Sequence, residues 1–189
     1  MGNTKSVRRS ERLRTILACG LLFFAVSFLG WCMEKTYFYL AYGVNADRGF
    51  LTLPFCTIYG APLLLVRALL GMPYSADTPY PASILRVILY ALLASLIATA
   101  AELLTGVLFH DLLGIRLWSY KGYPHEYGGY ICLQMSVVWG GLILLAMSFL
   151  WTPAERFLQR LPTGFSLFAN LVLGIALGLD FALSLAAVL

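Results

Sequence analysis

The chain is 189 residues long, with 60% hydrophobic and only 12% charged residues, and its mean hydropathy is +0.82. A soluble domain carries about a quarter charged residues, so a water-soluble globule is excluded and the solvent is lipid. At about 20 apolar residues per crossing, the length allows roughly five to seven spans.

Most of the net charge of +4 sits at the start, in Lys5, Arg8, Arg9, Arg12 and Arg14. Beside a membrane span such a cluster sets orientation, because Lys and Arg are retained in the cytoplasm. Residues 1–14 therefore read as a basic cytoplasmic leader. No small-x-small cleavage site follows, and bulky Trp31 precedes Cys32, so neither a cleaved signal peptide nor a lipoprotein signal is expected. Gly2 and Ser6 fit a myristoylation pattern, but a chain that already crosses the bilayer gains little from one acyl anchor. Cys19, Cys32, Cys56 and Cys132 lie inside apolar stretches without disulfide-scaffold or zinc spacing.

Apolar runs bounded by breakers predict five spans, at about residues 15–33, 50–70, 82–104, 130–151 and 165–189. The fold class is thus all-α, a polytopic membrane helix bundle. With the amino terminus inside, the cytoplasmic side holds the five leading basic residues plus Arg67, Arg86, Arg156 and Arg160, against Lys35, Arg48, Arg116 and Lys121 outside. That bias supports this orientation in the cell's inner membrane. The cytoplasmic link 73–81 fits less well, since Asp77 is its only charge. Residues 15–151 form a four-span core, and 152–189 a cytoplasmic link and fifth span. The aromatic segment 110–129, with Trp118, Tyr120, Tyr123 and Tyr127, admits two readings: an interfacial belt, or a loop folded back over the mouth of the bundle.

The core contains a candidate internal repeat, about 15–71 and 82–151. Gly49-Phe50-Leu51-Thr52-Leu53 aligns without gaps on Gly129-Tyr130-Ile131-Cys132-Leu133, continuing to Tyr59-Gly60 on Trp139-Gly140 and pairing Cys56 with Ser136. The spans before them match too: Glu34 has Gly30 and Ser27 one and two turns below it, and Glu102 has Ala98 and Ser95. Helix pairs of equal orientation would make this a parallel repeat.

Carboxylates at membrane depth usually face a bundle interior or a cavity. Glu34, Arg48 and Glu102 are expected to line a polar site open to the outside, with Tyr59 and Trp139 as aromatic walls, Asp180 in the outer half of the fifth span, and the loop residues Trp118, Tyr120 and His125 over it. The alternative for these charges is a structural ion pair with interfacial residues that reach water. Gly174 and Gly178 at GxxxG spacing predict close docking of the fifth span, and Pro54 and Pro62 a kink or break in the second. His110, Asp111, His125 and Glu126 match no zinc pattern. No nucleophile motif, phosphate-binding loop or nucleic-acid module is present, so no cofactor and no nucleic-acid partner is expected, and coupling to ATP would need a separate subunit.

Several spaced motifs carry a resemblance: Phe28-Leu29-Gly30-Trp31 with Glu34, Arg48-Gly49-Phe50 with Pro54, Ile58-Tyr59-Gly60, Glu102 with Gly106, Arg116-Leu117-Trp118 with Tyr120, and Gly129 with Ile131-Cys132-Leu133 and Trp139-Gly140. Over about residues 28–141 the chain resembles the bacterial CmpB-like ABC-transporter permease family. It departs from that pattern at Ser119, at His125-Glu126-Tyr127 and at Tyr130. The resemblance implies a membrane permease subunit working with an ATPase; separately, the chain is expected to form a homo- or hetero-oligomer. The rival readings are a membrane-embedded enzyme acting on a lipid or lipid-linked substrate, with Glu102 or His125 as base, and a structural or sensory membrane protein.

Overall fold

In the computed structural model, residues 2–45, 49–74 and 84–189 are described; Arg48 and most of the 73–81 link lie outside them. Helix α1 runs Gly2–Tyr42, α2 Thr57–Leu69 and α3 Ile84–Leu113. A two-stranded hairpin follows, β1 (Glu126–Tyr127) and β2 (Ile131–Cys132), antiparallel with Glu126 opposite Cys132 and Tyr127 opposite Ile131. Then come α4 (Leu133–Leu145), a π-helical turn (Ala146–Leu150), α5 (Trp151–Gln159) and α6 (Thr163–Ala186). Four stretches are long and apolar enough to cross a membrane: Ser6–Tyr42, Ile84–Leu113, Leu133–Gln159 and Thr163–Ala186. The chain is a multi-pass, all-helical membrane protein, and its hairpin lies between two of these spans.

Several boundaries differ from the sequence expectation: α1 runs on to Tyr42 and α3 to Leu113, and Ile131–Cys132 are strand ahead of α4. The basic leader is helical, because α1 continues through it for 41 residues in all; at about 1.5 Å per residue that is roughly 60 Å, twice the hydrocarbon thickness. The second segment is helical only over 13 residues, about 20 Å, because residues 49–56 before it are not helical. Pro54 lies in that irregular stretch, whereas Pro62 is accommodated inside α2.

The chain divides into two compact units. The first comprises Met1–Gly60 and Thr152–Ala187, the second Ala61–Trp151 and Val188–Leu189. In the first, α6 packs along α1. The Asn170 amide donates to Leu17 O at 3.0 Å and to Ser166 O at 2.8 Å, and it occupies the space beside Gly20. An amide fixed this way glues helices where no hydrophobic driving force separates lipid from protein. Gly60 seats on Ser27 and Phe23 of α1, where an added Cβ would meet Ser27 Oγ at 2.5 Å and Phe23 O at 2.6 Å.

In the second unit α3 packs against α4. The buried residues of α3 are Tyr90, Ala94, Ala98, Glu102 and Gly106, a stripe at four-residue spacing whose small members let the partner backbone approach. Gly140 of α4 uses that room: a Cβ there would meet Ala91 O and Ser95 Cβ, each at 2.9 Å. Ser95 Oγ donates to Ser136 O at 2.5 Å, and Thr99 Oγ1 donates to Ser136 Oγ at 2.8 Å. Gly174 and Gly178 have nothing within 4 Å of an added Cβ, so within this chain α6 docks through Asn170 and Asp180 instead of its glycine face.

Overpacking a tight helix contact costs about 1–3 kcal/mol, and backbone oxygens leave little room to relax. Gly60→Ala and Gly140→Ala should therefore lower the melting temperature in detergent, measured by intrinsic fluorescence. Gly178→Ala, facing open space, should leave it unchanged.

Candidate functional site

Three carboxylates within the candidate membrane spans have distinct surroundings. In the first unit, Asp180 of α6 is 6% exposed. It accepts the backbone N–H groups of Thr52 at 3.3 Å and Leu53 at 3.0 Å, and Thr52 Oγ1 also donates to it. Phe50 and Phe181 pack edge to face at 5.4 Å beside this contact. A non-helical stretch in a membrane protein leaves N–H groups that lipid will not satisfy; Asp180 takes two of them, and Ser27 O takes a third from Cys56 N at 3.0 Å. Asp180 is thus an anchor for the irregular segment ahead of α2.

Glu34, also in the first unit, is half-buried near the end of the apolar part of α1. Tyr59 Oη donates to Glu34 Oε1 at 2.9 Å. The Tyr59 ring reaches it by lying over Gly30, where an added Cβ would sit 2.5 Å from the ring. The next residue, Lys35, places its ammonium 4.8 Å from the Trp31 ring, a cation–π arrangement.

In the second unit, Glu102 of α3 is 6% exposed. Tyr120 Oη donates to Glu102 Oε1 at 2.9 Å, and the Trp139 indole of α4 lies against the same carboxyl and phenol. Tyr120 comes from the segment after α3, which folds back to reach it. That segment is pinned at several points. Trp118 Nε1 donates to Tyr130 O at 2.8 Å, Arg116 Nη1 to Gly128 O at 3.1 Å, and Tyr120 N to Gly129 O at 2.9 Å. Gly129 has φ +74°, a left-handed turn conformation that favours glycine, and its N–H donates to Glu126 Oε2 at 2.5 Å. Burial first, and then the Glu102 carboxylate, push the Tyr120 phenol up from its ordinary value.

Tyr130 is a residue whose role the sequence did not reveal. Its ring packs on Gly106, lies 5.1 Å from the Arg116 guanidinium carbon, and its hydroxyl meets His110 Nδ1 at 2.7 Å. Its sequence signals were its place after Gly129 and its alignment with Phe50 in the candidate repeat. His125 is exposed at the turn before β1, with φ +53°, and no hydrogen bond joins it to Glu102 among the described residues. No group of three or more His, Cys, Asp or Glu is gathered as a metal site among them either.

Residues 21–185 match the family model ABC_trans_CmpB, whose description is "Putative ABC-transporter type IV". The chain belongs to this family. The match takes in Glu34, Tyr59, Glu102, Tyr120, Trp139 and Asp180, and extends past the motifs of residues 28–141 to most of α6. No curated protein and no solved structure matches the chain.

Two outcomes test this family member's site geometry. Asp180→Asn retains the shape but loses the charge that strengthens each bond, worth about 1.5–3 kcal/mol for bonds to a charged group; the amides of Thr52 and Leu53 should exchange faster by hydrogen–deuterium exchange. Tyr120→Phe should speed exchange across residues 114–130. A phenol raised above its unfolded value adds stability that is present below about pH 10 and lost as pH rises through its folded value, so the melting-temperature gap between wild type and Tyr120→Phe should narrow above that pH.

Proposed function

We propose that the chain is the membrane-spanning permease subunit of an ABC-type transporter, in the cell's inner membrane with its amino terminus cytoplasmic, driven by a separate ATPase subunit. The single observation that carries this reading is Glu102: a buried carboxylate inside a membrane span, held by a tyrosine from a folded-back loop, in a chain of this family. A carboxylate at that depth is costly unless used, and intramembrane carboxylates commonly bind protons, cations or cationic substrates. Glu34 with Tyr59 forms a second site of the same composition. Arg48 belongs to the polar set on sequence grounds, where it compensates one carboxylate.

The proposal includes an internal duplication. Its support lies in the recurrence of contacts inside each unit. Gly60 seats on Ser27 as Gly140 seats on Ser95. The same pair of positions is joined in both units with donor and acceptor exchanged: Cys56 N donates to Ser27 O, whereas Ser95 Oγ donates to Ser136 O. The aromatic residue before each glycine, Tyr59 or Trp139, stands at the glutamate two turns above that serine. In each half the aromatic side chain and the glutamate define one polar site, whose occupant is a cation, a proton or a cationic substrate.

The test is purification of the tagged protein in mild detergent at native expression level, with its companions identified by mass spectrometry. A stoichiometric nucleotide-binding subunit is the expected outcome, and self-association alone would sink the permease reading. In the complex, Glu102→Gln should abolish coupled ATP hydrolysis while leaving membrane insertion intact. Loss of the protein from the membrane would make Glu102 structural.

A further inference from the structure

A second polar feature lies away from these carboxylates, where α1 passes from its basic stretch into its apolar one. Glu11, Arg14 and Thr15 of α1 face Arg156 and Gln159 of α5 and the following Arg160 across a cleft of about 520 Å³. A neighbouring cleft of about 350 Å³ shares Glu11 and Thr15 and adds Arg8, Arg12 and Ile16. The walls are held together by Gln159, whose amide donates to Thr15 Oγ1 and to Glu155 Oε1, each at 3.2 Å. Three arginines thus face one lining carboxylate, Glu11, with Glu155 buried behind the wall. Among the described residues, Arg14, Arg156 and Arg160 make no ion pair.

We propose that this cleft binds the phosphate of an anionic phospholipid headgroup. Arginine matches phosphate with a planar fork of donors, and basic pockets at the membrane surface bind such headgroups. The setting selects a lipid over a free anion. Ile16, which lines the neighbouring cleft, is 67% exposed, so an occupant with acyl chains covers apolar surface there that a soluble phosphate leaves bare. The proposal rests on the membrane setting alone and stands whether or not the permease reading does.

The experiment is native mass spectrometry of the full chain titrated with phosphatidylglycerol and, separately, phosphatidylcholine. Phosphatidylglycerol should be retained in preference. Removing one charge-assisted contact by Arg156→Gln should weaken that retention roughly tenfold. Arg9→Gln makes the same charge change outside both clefts and should leave retention unchanged. Arg160→Gln repeats the comparison if Arg156→Gln lowers the melting temperature. Equal loss in Arg9→Gln, or equal retention of phosphatidylcholine, would overturn the proposal. So would displacement of the lipid by excess inorganic phosphate, which would assign the cleft to a soluble anion.

Discussion

The irregular stretch at residues 49–56 depends on one constraint: a backbone N–H shielded from water cannot be left without an acceptor. Once the helix does not begin until Thr57, the amides of Thr52, Leu53 and Cys56 need partners outside their own segment. Two are taken by the Asp180 carboxylate and the third by the Ser27 carbonyl. The partners come from α6 and α1, so the packing of those two helices and the shape of the segment between them are one problem with one solution. Gly60 and Ser27 must also be small and close for the Ser27 carbonyl to reach.

The second unit meets a related demand by different means. Its helices are continuous through the α3–α4 contact, and small residues at four-residue spacing bring the backbones together. What must be satisfied there is a side chain, Glu102, and the donor is imported by folding a loop back onto it. The loop holds its place through carbonyls: Tyr130 O, Gly128 O and Gly129 O each accept a donor from residues 116–120. A hairpin built this way keeps Tyr120 over Glu102 through main-chain acceptors, and the Tyr130 side chain adds its own contacts to Gly106, Arg116 and His110.

Much of this was legible in the residues, and the rest was not for physical reasons. Hydropathy located the apolar runs because bilayer thickness imposes a minimum length. It located the first apolar run but said nothing of the helix that continues through the basic leader, and it overextended the second segment, since hydropathy does not distinguish helix from a satisfied irregular stretch. The candidate site residues Glu34 with Tyr59 and Glu102 with Trp139 are drawn together within their units, and Tyr120, expected in a loop over the site, is the one of the three loop residues whose side chain bonds Glu102. Asp180 was placed in the outer half of the fifth span, but its partners, the Thr52 and Leu53 amides and the Thr52 hydroxyl, are 127 and 128 residues away, a pairing no local spacing encodes. The GxxxG spacing at Gly174 and Gly178 pointed to close docking that α6 achieves elsewhere along its length.

That long separation has a consequence in time. During synthesis the segment holding Thr52 and Leu53 is made well before the residue that accepts their hydrogen bonds. At about 5–20 residues per second, the intervening 127 residues take on the order of ten seconds. Until then those amides must stay in contact with water or be shielded by the insertion machinery. The second unit needs no such wait, because Glu102 and Tyr120 are only 18 residues apart. The unit whose synthesis begins first is therefore the unit that is completed last.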